Sequence, residues 1–430
     1  DERVARRQRG YARASHGAER GEDGERGARE GRHRAAEREG EAIILLPFDR
    51  AFRMFRLLAA LTLAACAFAS TPASAQGPVP PSIAAAAWTL VDVTSGQTIA
   101  SHQSDERRDP ASITKLMTAY LVFGALRQKA IVPSQMVTVS EKAWRAEGSR
   151  MFIEPRKSVS VDELVHGMIV QSGNDASIAL AELVAGSEAA FVERMNQEAH
   201  RLGMLNTRFA NATGLADPQH WSTAGDIAKL AQAVIRDYPE YYPLYSLREY
   251  RYNNITQPNR NRLLWSDPHV DGMKTGHTEV AGWCLVASAK RGERRLLSVV
   301  LGALSDAGRA AESQKLLNFG FQAFDTVQLY QSGRPVSSLK VWKGAQREVA
   351  AGFLADRYLT LPRGRAGDLK LTLEALEPLV APVARGQRVG VVRVALDGRA
   401  MAEFPLISLE DVGPANVFVR AWDSVRLWFK

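Results

Sequence analysis

The sequence contains only two cysteines, Cys66 and Cys284, among its 430 residues. Because Cys66 lies in an apolar segment that processing is expected to remove, a single thiol remains and no internal disulfide can form. Cys284 falls within a predicted strand, where a free cysteine usually serves as a small buried apolar residue. The sequence therefore predicts a fold without a disulfide and gives no indication of a cysteine nucleophile.

Sequence signatures of metal, phosphate and nucleic-acid sites are also missing. There is no His-x-x-x-His pair and no cysteine cluster with the spacing of metal ligands. There is no glycine-rich phosphate loop and no nucleic-acid-binding motif. We therefore predict no metal, no cofactor and no nucleic-acid partner.

The chain is basic only to a modest degree. Its formal net charge is +8, and residues 76–430 carry 41 Lys and Arg against 36 Asp and Glu. Such a mild excess suits a protein that works beside an anionic surface, such as a membrane or a cell wall. The hydrophobic content of 46% is that of an ordinary globular protein, and the length allows two or three domains.

The first 75 residues read as two segments that precede the folded protein. Residues 1–40 are rich in Arg, Glu, Gly and Ala and show no apolar period, so we expect disorder there. Our hypothesis is that residues 1–53 are an upstream extension and that translation starts at Met54. Residues 54–75 combine a short basic start, an apolar run and an Ala-Ser-Ala cleavage site, which is the layout of a secretory signal peptide.

Two alternatives stay open for residues 54–75. The first alternative is a transmembrane anchor, but the apolar run of roughly a dozen residues is shorter than the about 20 residues that a membrane span needs. The stretch Leu63-Ala64-Ala65-Cys66 resembles a bacterial lipobox, and lipidation of Cys66 would tether the mature protein by its N-terminus. We adopt export with cleavage after Ala75, which predicts a periplasmic protein.

The sequence after the signal segment predicts an α+β domain over residues 82–325. A hairpin pattern over 87–100 precedes mostly helical segments between 161 and 236. A sequence pattern typical of β-strands returns over 283–301 and is followed by a predicted helix over 310–324. This succession implies helices packed against an antiparallel sheet.

Two further elements follow that domain. Residues 337–411 contain short alternating stretches punctuated by Gly and Pro, which predict a small all-β domain after a boundary at about 326–336. Residues 414–430 predict an amphipathic helix. Its apolar stripe consists of Phe418, Trp422, Val425 and Phe429, opposite Arg420, Asp423, Arg426 and Lys430. We predict that this helix binds a membrane surface peripherally; the alternative is that the stripe packs on the protein itself.

A Ser-x-x-Lys pattern, Ser112 to Lys115, opens a helical segment that continues to about Leu126. Positions i and i+3 share a helix face, so the Ser112 hydroxyl and the Lys115 amine are expected to be in contact. Pro110 suits the position ahead of a helix start, and the positive end of the helix dipole favours negative charge near Ser112. An activated serine nucleophile needs such a neighbouring base and such a field.

Two more polar motifs follow this pattern. Gln171-Ser172-Gly173-Asn174 supplies a hydroxyl and an amide on a predicted tight turn between helices. Lys274-Thr275-Gly276-His277 supplies an ammonium and a hydroxyl at the predicted start of a strand, and its glycine permits close approach of a ligand backbone. Each motif is common alone, but the three in this order are hard to obtain by chance.

The order Ser-x-x-Lys, Ser-x-Asn, Lys-Thr-Gly resembles the penicillin-binding protein and serine β-lactamase superfamily. Residues 111–118, 171–181, 214–224 and 269–289 are similar to the D-alanyl-D-alanine carboxypeptidases, the low-molecular-weight penicillin-binding proteins. The resemblance covers 82–430, because that subgroup also has a C-terminal β domain and an amphipathic anchor.

The resemblance implies a serine-type D-Ala-D-Ala carboxypeptidase that acts on peptidoglycan stem peptides through an acyl-enzyme and is acylated by β-lactam antibiotics. It implies Ser112 as nucleophile, Lys115 as base and Ser172 as proton relay. The substrate-binding residues that it implies are Asn174, Lys274, Thr275, Gly276 and His277, with the backbone N–H groups of Ser112 and His277 as oxyanion-hole donors. The residues allow either Lys115 alone or Ser172 and Lys274 acting with it to remove the serine proton.

Three more residues match the family near the substrate. Arg260 and Arg309 match positions close to the substrate carboxylate, with a solvated surface charge as the alternative. His220 falls in the similar stretch 214–224 and is predicted to border the cleft, with a structural loop histidine as the alternative.

Three other functions are compatible with parts of the sequence. A β-lactamase shares the nucleophile, but the middle motif here is Ser-Gly-Asn and no deacylating glutamate is evident. A peptidoglycan endopeptidase of the same superfamily generally lacks the added β domain. A non-catalytic wall-binding scaffold would not need the intact set of Ser112, Lys115, Ser172, Asn174 and Lys274.

Overall fold

The computed structural model describes residues 77–429. The predicted upstream extension 1–53 and the signal peptide 54–75 with Cys66 lie outside the described residues, as does Lys430. The described chain has the predicted α+β class, which is confirmed: an antiparallel sheet with helices is followed by a small all-β domain and a C-terminal helix.

The first domain places a helical block between its early and late strands. Its strands are β1 Ala87–Asp92, β2 Gln97–His102, β3 Met136–Thr138, β4 Ser158–Ser160, β5 Glu249–Tyr252, β6 Ile255–Pro258, β7 Val270–Thr278, β8 Gly282–Arg291 and β9 Arg294–Ala303. Its helices are α1 Lys115–Arg127, α2 Glu141–Trp144, α3 Val161–Val170, α4 Asn174–Ala185, α5 Glu188–Arg201, α6 Ala224–Asp237, α7 Leu263–Ser266 and α8 Asp306–Ala323. Short 3₁₀ helices, Ala111–Thr114 and Tyr242–Ser246, precede α1 and β5.

The central sheet has the strand order β2-β1-β9-β8-β7, with antiparallel neighbours throughout. Strands β8 and β9 are each buried over six consecutive residues, because α8 packs on one face of the sheet and α6 on the other. Alternate residues of these strands enter two separate hydrophobic clusters, as the period of two requires. Strand β7 is left at the edge of the sheet, where it faces the 3₁₀ helix Ala111–Thr114.

Helix α1 runs through the middle of the helical block. Nine of its thirteen residues are buried, and it contacts α3, α4, α5 and α6. A helix that is covered on all sides belongs to the core. The position of its first residue, Lys115, is therefore fixed by core packing.

The second domain begins without a linker. Helix α8 ends at Ala323, and the next residue starts a strand. The strands are β10 Phe324–Tyr330, β11 Pro335–Trp342, β12 Glu348–Gly352, β13 Arg357–Pro362, β14 Leu369–Ala375, β15 Leu379–Val380, β16 Arg388–Leu396 and β17 Arg399–Ser408. Strand β10 pairs with β13, so residues 324–330 belong to the second domain, ahead of the predicted boundary at 326–336. A separate apolar cluster that includes Phe353 and Leu406 forms the core of this domain.

Polar contacts join the two domains around one buried carboxylate. Asp92, which is fully buried, accepts hydrogen bonds from Arg294 Nε at 2.8 Å and from the Thr326 hydroxyl at 2.5 Å. The Ser95 and Thr360 hydroxyl oxygens lie 2.7 Å apart. The β1–β2 turn thus holds the strands of the second domain.

The chain ends in helix α9, Val417–Trp428, which Asn416 caps by accepting a hydrogen bond from Val419 N at 3.0 Å. Asp423 accepts a hydrogen bond from Lys343 N at 2.7 Å, so one face of the helix contacts the β domain. Within residues 77–429, no helix has the length and apolar character needed to cross a membrane.

Candidate active site

The Ser112 side chain is presented by the 3₁₀ helix Ala111–Thr114, not by α1 itself, which starts at Lys115. The expected contact between positions i and i+3 is nevertheless present, because the Lys115 Nζ and Ser112 Oγ atoms lie 3.1 Å apart. Ala111 adopts a left-handed conformation with φ +48° immediately before the serine. The chain therefore turns sharply into α1 and leaves Ser112 at the cleft surface.

The Lys115 amine is buried and surrounded by oxygen atoms. Besides Ser112 Oγ, it donates to Asn174 Oδ1 at 2.6 Å and to the Thr213 carbonyl oxygen at 2.6 Å. Burial lowers the pKa of Lys115 from 10.5 to about 7, and the positive charge of Arg260 acts in the same direction. A substantial fraction of the Lys115 side chains is therefore neutral near pH 7 and able to accept a proton.

The Ser-Gly-Asn motif occupies the tight turn between α3 and α4, as predicted. Ser172 has φ +63°, and α4 begins at Asn174. Asn174 donates through Nδ2 to the Glu147 carbonyl oxygen at 2.6 Å, so its Oδ1 atom is directed at Lys115. The turn thus brings a hydroxyl and an amide oxygen to the same side of the cleft.

Lys274 lies in the middle of β7, whereas the sequence placed the Lys-Thr-Gly motif at the start of a strand. Its amine donates to Ser172 Oγ at 2.9 Å and to the Thr275 carbonyl oxygen at 3.1 Å. Burial lowers the pKa of Lys274 well below its usual value, and the neighbouring Lys115 and Arg260 charges add to this effect. A positive charge on Lys115 therefore disfavours the charged form of Lys274.

Two glycines allow β7 and a nearby loop to approach the nucleophile. A Cβ atom on Gly214, which has φ +83°, would lie 1.9 Å from the Ala111 carbonyl oxygen. A Cβ atom on Gly276 would lie 3.0 Å from the Pro110 carbonyl oxygen. Gly214 has no room for a side chain and a Cβ atom at Gly276 would be tightly packed, so both segments lie close against the turn that carries Ser112.

These elements enclose a cleft of about 360 Å³. It is lined by Ser112, Gly148, Ser149, Ser172, Asn174, Gly214, Leu215, Arg260, Thr275, Gly276, His277, Thr278, Trp283 and Arg309. The structure thus brings eight of the predicted site residues to one cleft wall or floor, and the two lysines lie beneath it. Among residues 77–429, no acidic side chain lines this cleft, which suits an anionic ligand.

The two arginines occupy different environments. Arg260 is exposed at the cleft, whereas Arg309 is 3% exposed and donates to the Gly276 carbonyl oxygen at 3.0 Å. Arg309 also forms an ion pair with Asp306, and burial lowers its pKa. The Arg309 guanidinium therefore braces β7 as well as lining the cleft.

An aromatic stack borders the same wall. The His277 and Trp283 ring centroids are 4.0 Å apart, and the Arg309 guanidinium carbon lies 5.0 Å from the centroid of the Trp283 ring. Trp283 thus contacts both an imidazole and a cation, and these contacts help to position the His277 and Arg309 side chains. Sequence reasoning missed Trp283 because it lies beyond the Lys-Thr-Gly motif, on the paired strand β8.

His220 is not among the residues that line the cleft, and its contacts fit the alternative of a structural loop histidine. It is buried, its Nδ1 atom accepts from Ala210 N at 3.3 Å, and its Nε2 atom lies 2.8 Å from the Thr114 hydroxyl oxygen. Because Nδ1 accepts, the ring proton lies on Nε2 and is donated to Thr114. Burial lowers the pKa of His220 to about 4, so the imidazole is a neutral support beneath the nucleophile turn.

A buried carboxylate beside the middle motif is a second feature that sequence reasoning did not assign. Asp175 accepts hydrogen bonds from three consecutive backbone amides, Met151 N at 3.0 Å, Phe152 N at 2.8 Å and Ile153 N at 3.2 Å. It thereby fixes the loop whose Glu147 carbonyl orients Asn174. The sequence could have indicated Asp175, because it directly follows Asn174 of the middle motif. The carbonyl groups of Thr213 and Glu147 could not have been found in this way, because a backbone carbonyl leaves no signature in a sequence.

Metal ligation has no candidate in the described part of the chain, because no group of three or more His, Cys, Asp or Glu side chains is arranged to hold an ion there. Cys284 is buried on β8 opposite Gly276, and burial raises its pKa to about 11. The thiol is therefore protonated at neutral pH.

Comparison with known families agrees with this geometry. A family profile described as D-alanyl-D-alanine carboxypeptidase matches residues 74–305, and one described as the C-terminal domain of penicillin-binding protein 5 matches residues 324–414. The boundary between the two matches agrees with the start of β10 at Phe324.

Individual relatives give the same result. The D-alanyl-D-alanine carboxypeptidase DacC of Escherichia coli is 45% identical over 371 residues, which are 84% of this chain and 93% of that protein. Penicillin-binding protein 5 from Haemophilus influenzae is 43% identical, with a TM-score of 0.76 over 78% of this chain and 100% of that structure. Penicillin-binding protein D2 from Listeria monocytogenes, in its ampicillin-bound form, is 30% identical, with a TM-score of 0.53 over 57% of this chain and 100% of that structure. The chain therefore belongs to the D-alanyl-D-alanine carboxypeptidase family.

Proposed function

We propose that this protein is a serine-type carboxypeptidase that removes the terminal D-Ala from peptidoglycan pentapeptide stems. The observation that carries the proposal is the 3.1 Å separation between Ser112 Oγ and the buried Lys115 Nζ, whose pKa of about 7 makes it a base at neutral pH. A general base within hydrogen-bond reach of a hydroxyl is what serine nucleophiles require.

In the acylation step, Ser112 Oγ bonds to the carbonyl carbon of the penultimate D-Ala, and its proton passes to Lys115 Nζ. The bond from that carbon to the terminal D-Ala nitrogen then breaks. The leaving nitrogen takes the Ser172 hydroxyl proton, and Ser172 is reprotonated by the proton that Lys115 accepted from Ser112, so that Lys115 is neutral again. Ser172 is suited to this relay because it lies 2.9 Å from Lys274 Nζ. Water then hydrolyses the ester and restores the Ser112 hydroxyl.

The negative charge that develops on the carbonyl oxygen needs donors on the cleft wall. The backbone N–H groups of Ser112 and His277 are the proposed donors, and loss of one such donor costs about 3 kcal/mol of transition-state stabilisation. The terminal carboxylate is proposed to face Thr275, with the Lys274 amine and the positive charges of Arg260 and Arg309 nearby. This assignment is supported by the cleft itself, which is lined by Thr275, Arg260 and Arg309.

The same chemistry would acylate Ser112 with a β-lactam, because the strained amide presents a carbonyl to the nucleophile while its carboxylate resembles that of the stem. The ampicillin-bound form of the Listeria relative supports this part of the proposal. The expected adduct is an ester between Ser112 and the opened lactam.

Release of D-Ala from a pentapeptide ending in D-Ala-D-Ala tests the function. The full chain is expected to release D-Ala and to be labelled persistently by a fluorescent penicillin, and Ser112→Ala is expected to lose both activities. Rapid turnover of penicillin without release of D-Ala would indicate a β-lactamase instead, and cleavage of cross-linked dimers alone would indicate an endopeptidase.

We also propose that the protein is exported and binds the outer face of the cytoplasmic membrane through α9. The apolar stripe is exposed, with Phe418 86%, Trp422 65% and Phe429 80% accessible. Val419, Asp423 and Leu427, spaced four residues apart, are half-buried and form the face toward the β domain. Large aromatic side chains on the free face of a basic helix favour insertion at a lipid interface.

Sedimentation with anionic phospholipid vesicles tests the anchor. The full chain is expected to sediment, and Phe418→Ser combined with Trp422→Ser is expected to leave it in the supernatant with D-Ala release intact. Trp265→Ser is the matched control, because Trp265 is 48% exposed on the first domain and lies outside α9. If the double variant still sediments with the vesicles, and the further substitution Cys66→Ser abolishes this binding, the anchor is a lipid at Cys66. That result would contradict membrane binding through α9.

A further inference from the structure

One carboxylate joins two backbone segments at the wall of the cleft. Asp109 Oδ1 accepts a hydrogen bond from Ala111 N at 2.7 Å, and Asp109 Oδ2 accepts one from the Thr278 hydroxyl at 3.2 Å. Ala111 directly precedes Ser112, and Thr278 directly follows His277. Asp109 therefore connects the immediate neighbours of the two residues whose N–H groups are the proposed oxyanion-hole donors.

The backbone at Ala111 depends on its surroundings for its conformation. Its φ of +48° lies in a region that an alanine avoids by itself, so other contacts have to hold it. Gly214 leaves room for the Ala111 carbonyl oxygen on one side, and a Cβ atom on Gly276 would lie 3.1 Å from the Ala111 Cβ on the other. Asp109 completes this enclosure by binding the amide of the same residue.

The second end of the contact lies at the end of β7. The Thr278 hydroxyl donates to Asp109 and also accepts a hydrogen bond from Ala281 N at 2.9 Å, so it closes the turn that leads into β8. Burial raises the pKa of Asp109, and its hydrogen-bond partners within residues 77–429 are this hydroxyl and an amide, without a cation. Burying a carboxylate between two neutral donors costs free energy, because neither donor carries a charge that compensates it. This arrangement indicates that Asp109 serves to position the two segments that it joins.

We propose that Asp109 is a positioning residue that sets the separation of the Ser112 and His277 N–H groups. This inference rests on the proposed function, because it concerns the oxyanion hole of that reaction. Donors stabilise the developing charge only when they are aimed at the oxygen of the transition state. A shift of either segment is therefore expected to slow acylation more than it weakens substrate binding.

Variants of the full chain separate this role from general stability. Asp109→Ala removes both hydrogen bonds of the carboxylate, Thr278→Val removes the one to Asp109 together with the one from Ala281 N, and Thr278→Ser keeps the hydroxyl. Asp356→Ala is the matched control in the second domain. Asp356 also accepts from one amide and one hydroxyl, Ser332 N at 2.7 Å and the Tyr358 hydroxyl at 3.3 Å.

Four quantities are measured for each variant: the rate of Ser112 acylation by a labelled penicillin, kcat for D-Ala release, KM for D-Ala release, and the affinity for a peptide boronic acid. The boron of this probe replaces the scissile carbon and becomes tetrahedral on the serine. For Asp109→Ala we expect the acylation rate and kcat to fall about 10- to 100-fold, less than the 10²–10³-fold loss from deleting a donor outright. KM should change less than about threefold, and boronate affinity should weaken in parallel with kcat/KM.

We expect a smaller loss of the same kind in Thr278→Val, recovery in Thr278→Ser and wild-type values in Asp356→Ala. Wild-type acylation by Asp109→Ala, or losses that follow the unfolding midpoint while boronate affinity stays unchanged, would overturn the inference. If Asp109→Ala does not fold, the two Thr278 variants decide. A wild-type protein that penicillin acylates but that releases no D-Ala would refute the proposed function, and acylation rates and boronate affinity would still decide the role of Asp109.

Discussion

Replacing Asn174 with aspartate should move the pH dependence of acylation without removing the nucleophile. Asn174 Oδ1 lies 2.6 Å from Lys115 Nζ, so Asn174→Asp places a carboxylate at hydrogen-bond distance from the proposed base. An opposite charge this close favours the protonated lysine and raises its pKa by roughly 1–3 units. The substitution therefore opposes the effect of burial that lowers this pKa in the wild type.

The magnitude follows from the fraction of neutral lysine. With an ordinary pKa of 10.5, roughly one Lys115 amine in 3,000 would be neutral at pH 7, whereas a pKa of about 7 leaves about half of them neutral. In Asn174→Asp that fraction should drop to roughly one tenth or less at pH 7. The rate of acylation at pH 7 should fall at least about fivefold and recover as the pH approaches 9 to 10.

Stopped-flow acylation by a fluorescent penicillin between pH 5 and 10 measures this shift. The wild type should show an acid limb near pH 7, and Asn174→Asp should show the same limb displaced to higher pH. Gln331→Glu, which adds a similar charge on the exposed surface of the second domain, should leave the limb in place. A limb that does not move in Asn174→Asp, or a variant rate that does not recover in alkali, would refute Lys115 as the base.

Two further predictions concern stability. Gly214→Ala should lower the free energy of unfolding by roughly 1–3 kcal/mol more than Gly186→Ala and should slow acylation. Both glycines have φ above +80°, but of the two only Gly214 has backbone atoms within 4 Å of the position that a Cβ atom would take. Equal urea midpoints for the two variants would contradict the close packing. The pKa of His220 is about 4 in the folded protein, against an ordinary 6.5. Between these pH values the unfolded chain binds more protons than the folded one. The free energy of unfolding should therefore decrease by up to about 3 kcal/mol as the pH falls from 6.5 toward 4. In His220→Gln this part of the acid loss should disappear, and an unchanged pH dependence of urea unfolding would show that another group is responsible.

The sequence was most informative where chemistry and periodicity coincide. The contact of Ser112 with Lys115 follows from the i to i+3 spacing, although the serine lies on a 3₁₀ turn and not on the α-helix. The turn carrying Ser172 was predicted from the break between two helical patterns. These features are local, so a single stretch of sequence contains them.

Features that depend on tertiary structure were not predictable in the same way. Arg260 and Arg309 were indistinguishable in the sequence, yet one is exposed and the other is buried against β7. The Lys-Thr-Gly motif was placed at the start of a strand because the apolar alternation before it is weak, while pairing with β8 extends the strand back to Val270. For His220 the sequence left open a cleft residue or a structural loop histidine, and its contacts with Thr114 and Ala210 fit the second.

The proposed reaction attaches the substrate acyl group to the Ser112 hydroxyl oxygen. It can be tested by mixing the full chain with a stem-peptide depsipeptide ending in D-Ala-D-lactate, quenching in acid within milliseconds to seconds, and locating the added mass by peptide mapping. We predict a tetrapeptidyl ester on the peptide that contains Ser112, present at the earliest times and absent from Ser112→Ala. Release of D-lactate by Ser112→Ala at the wild-type rate, or an acyl group on any other residue, would contradict the account.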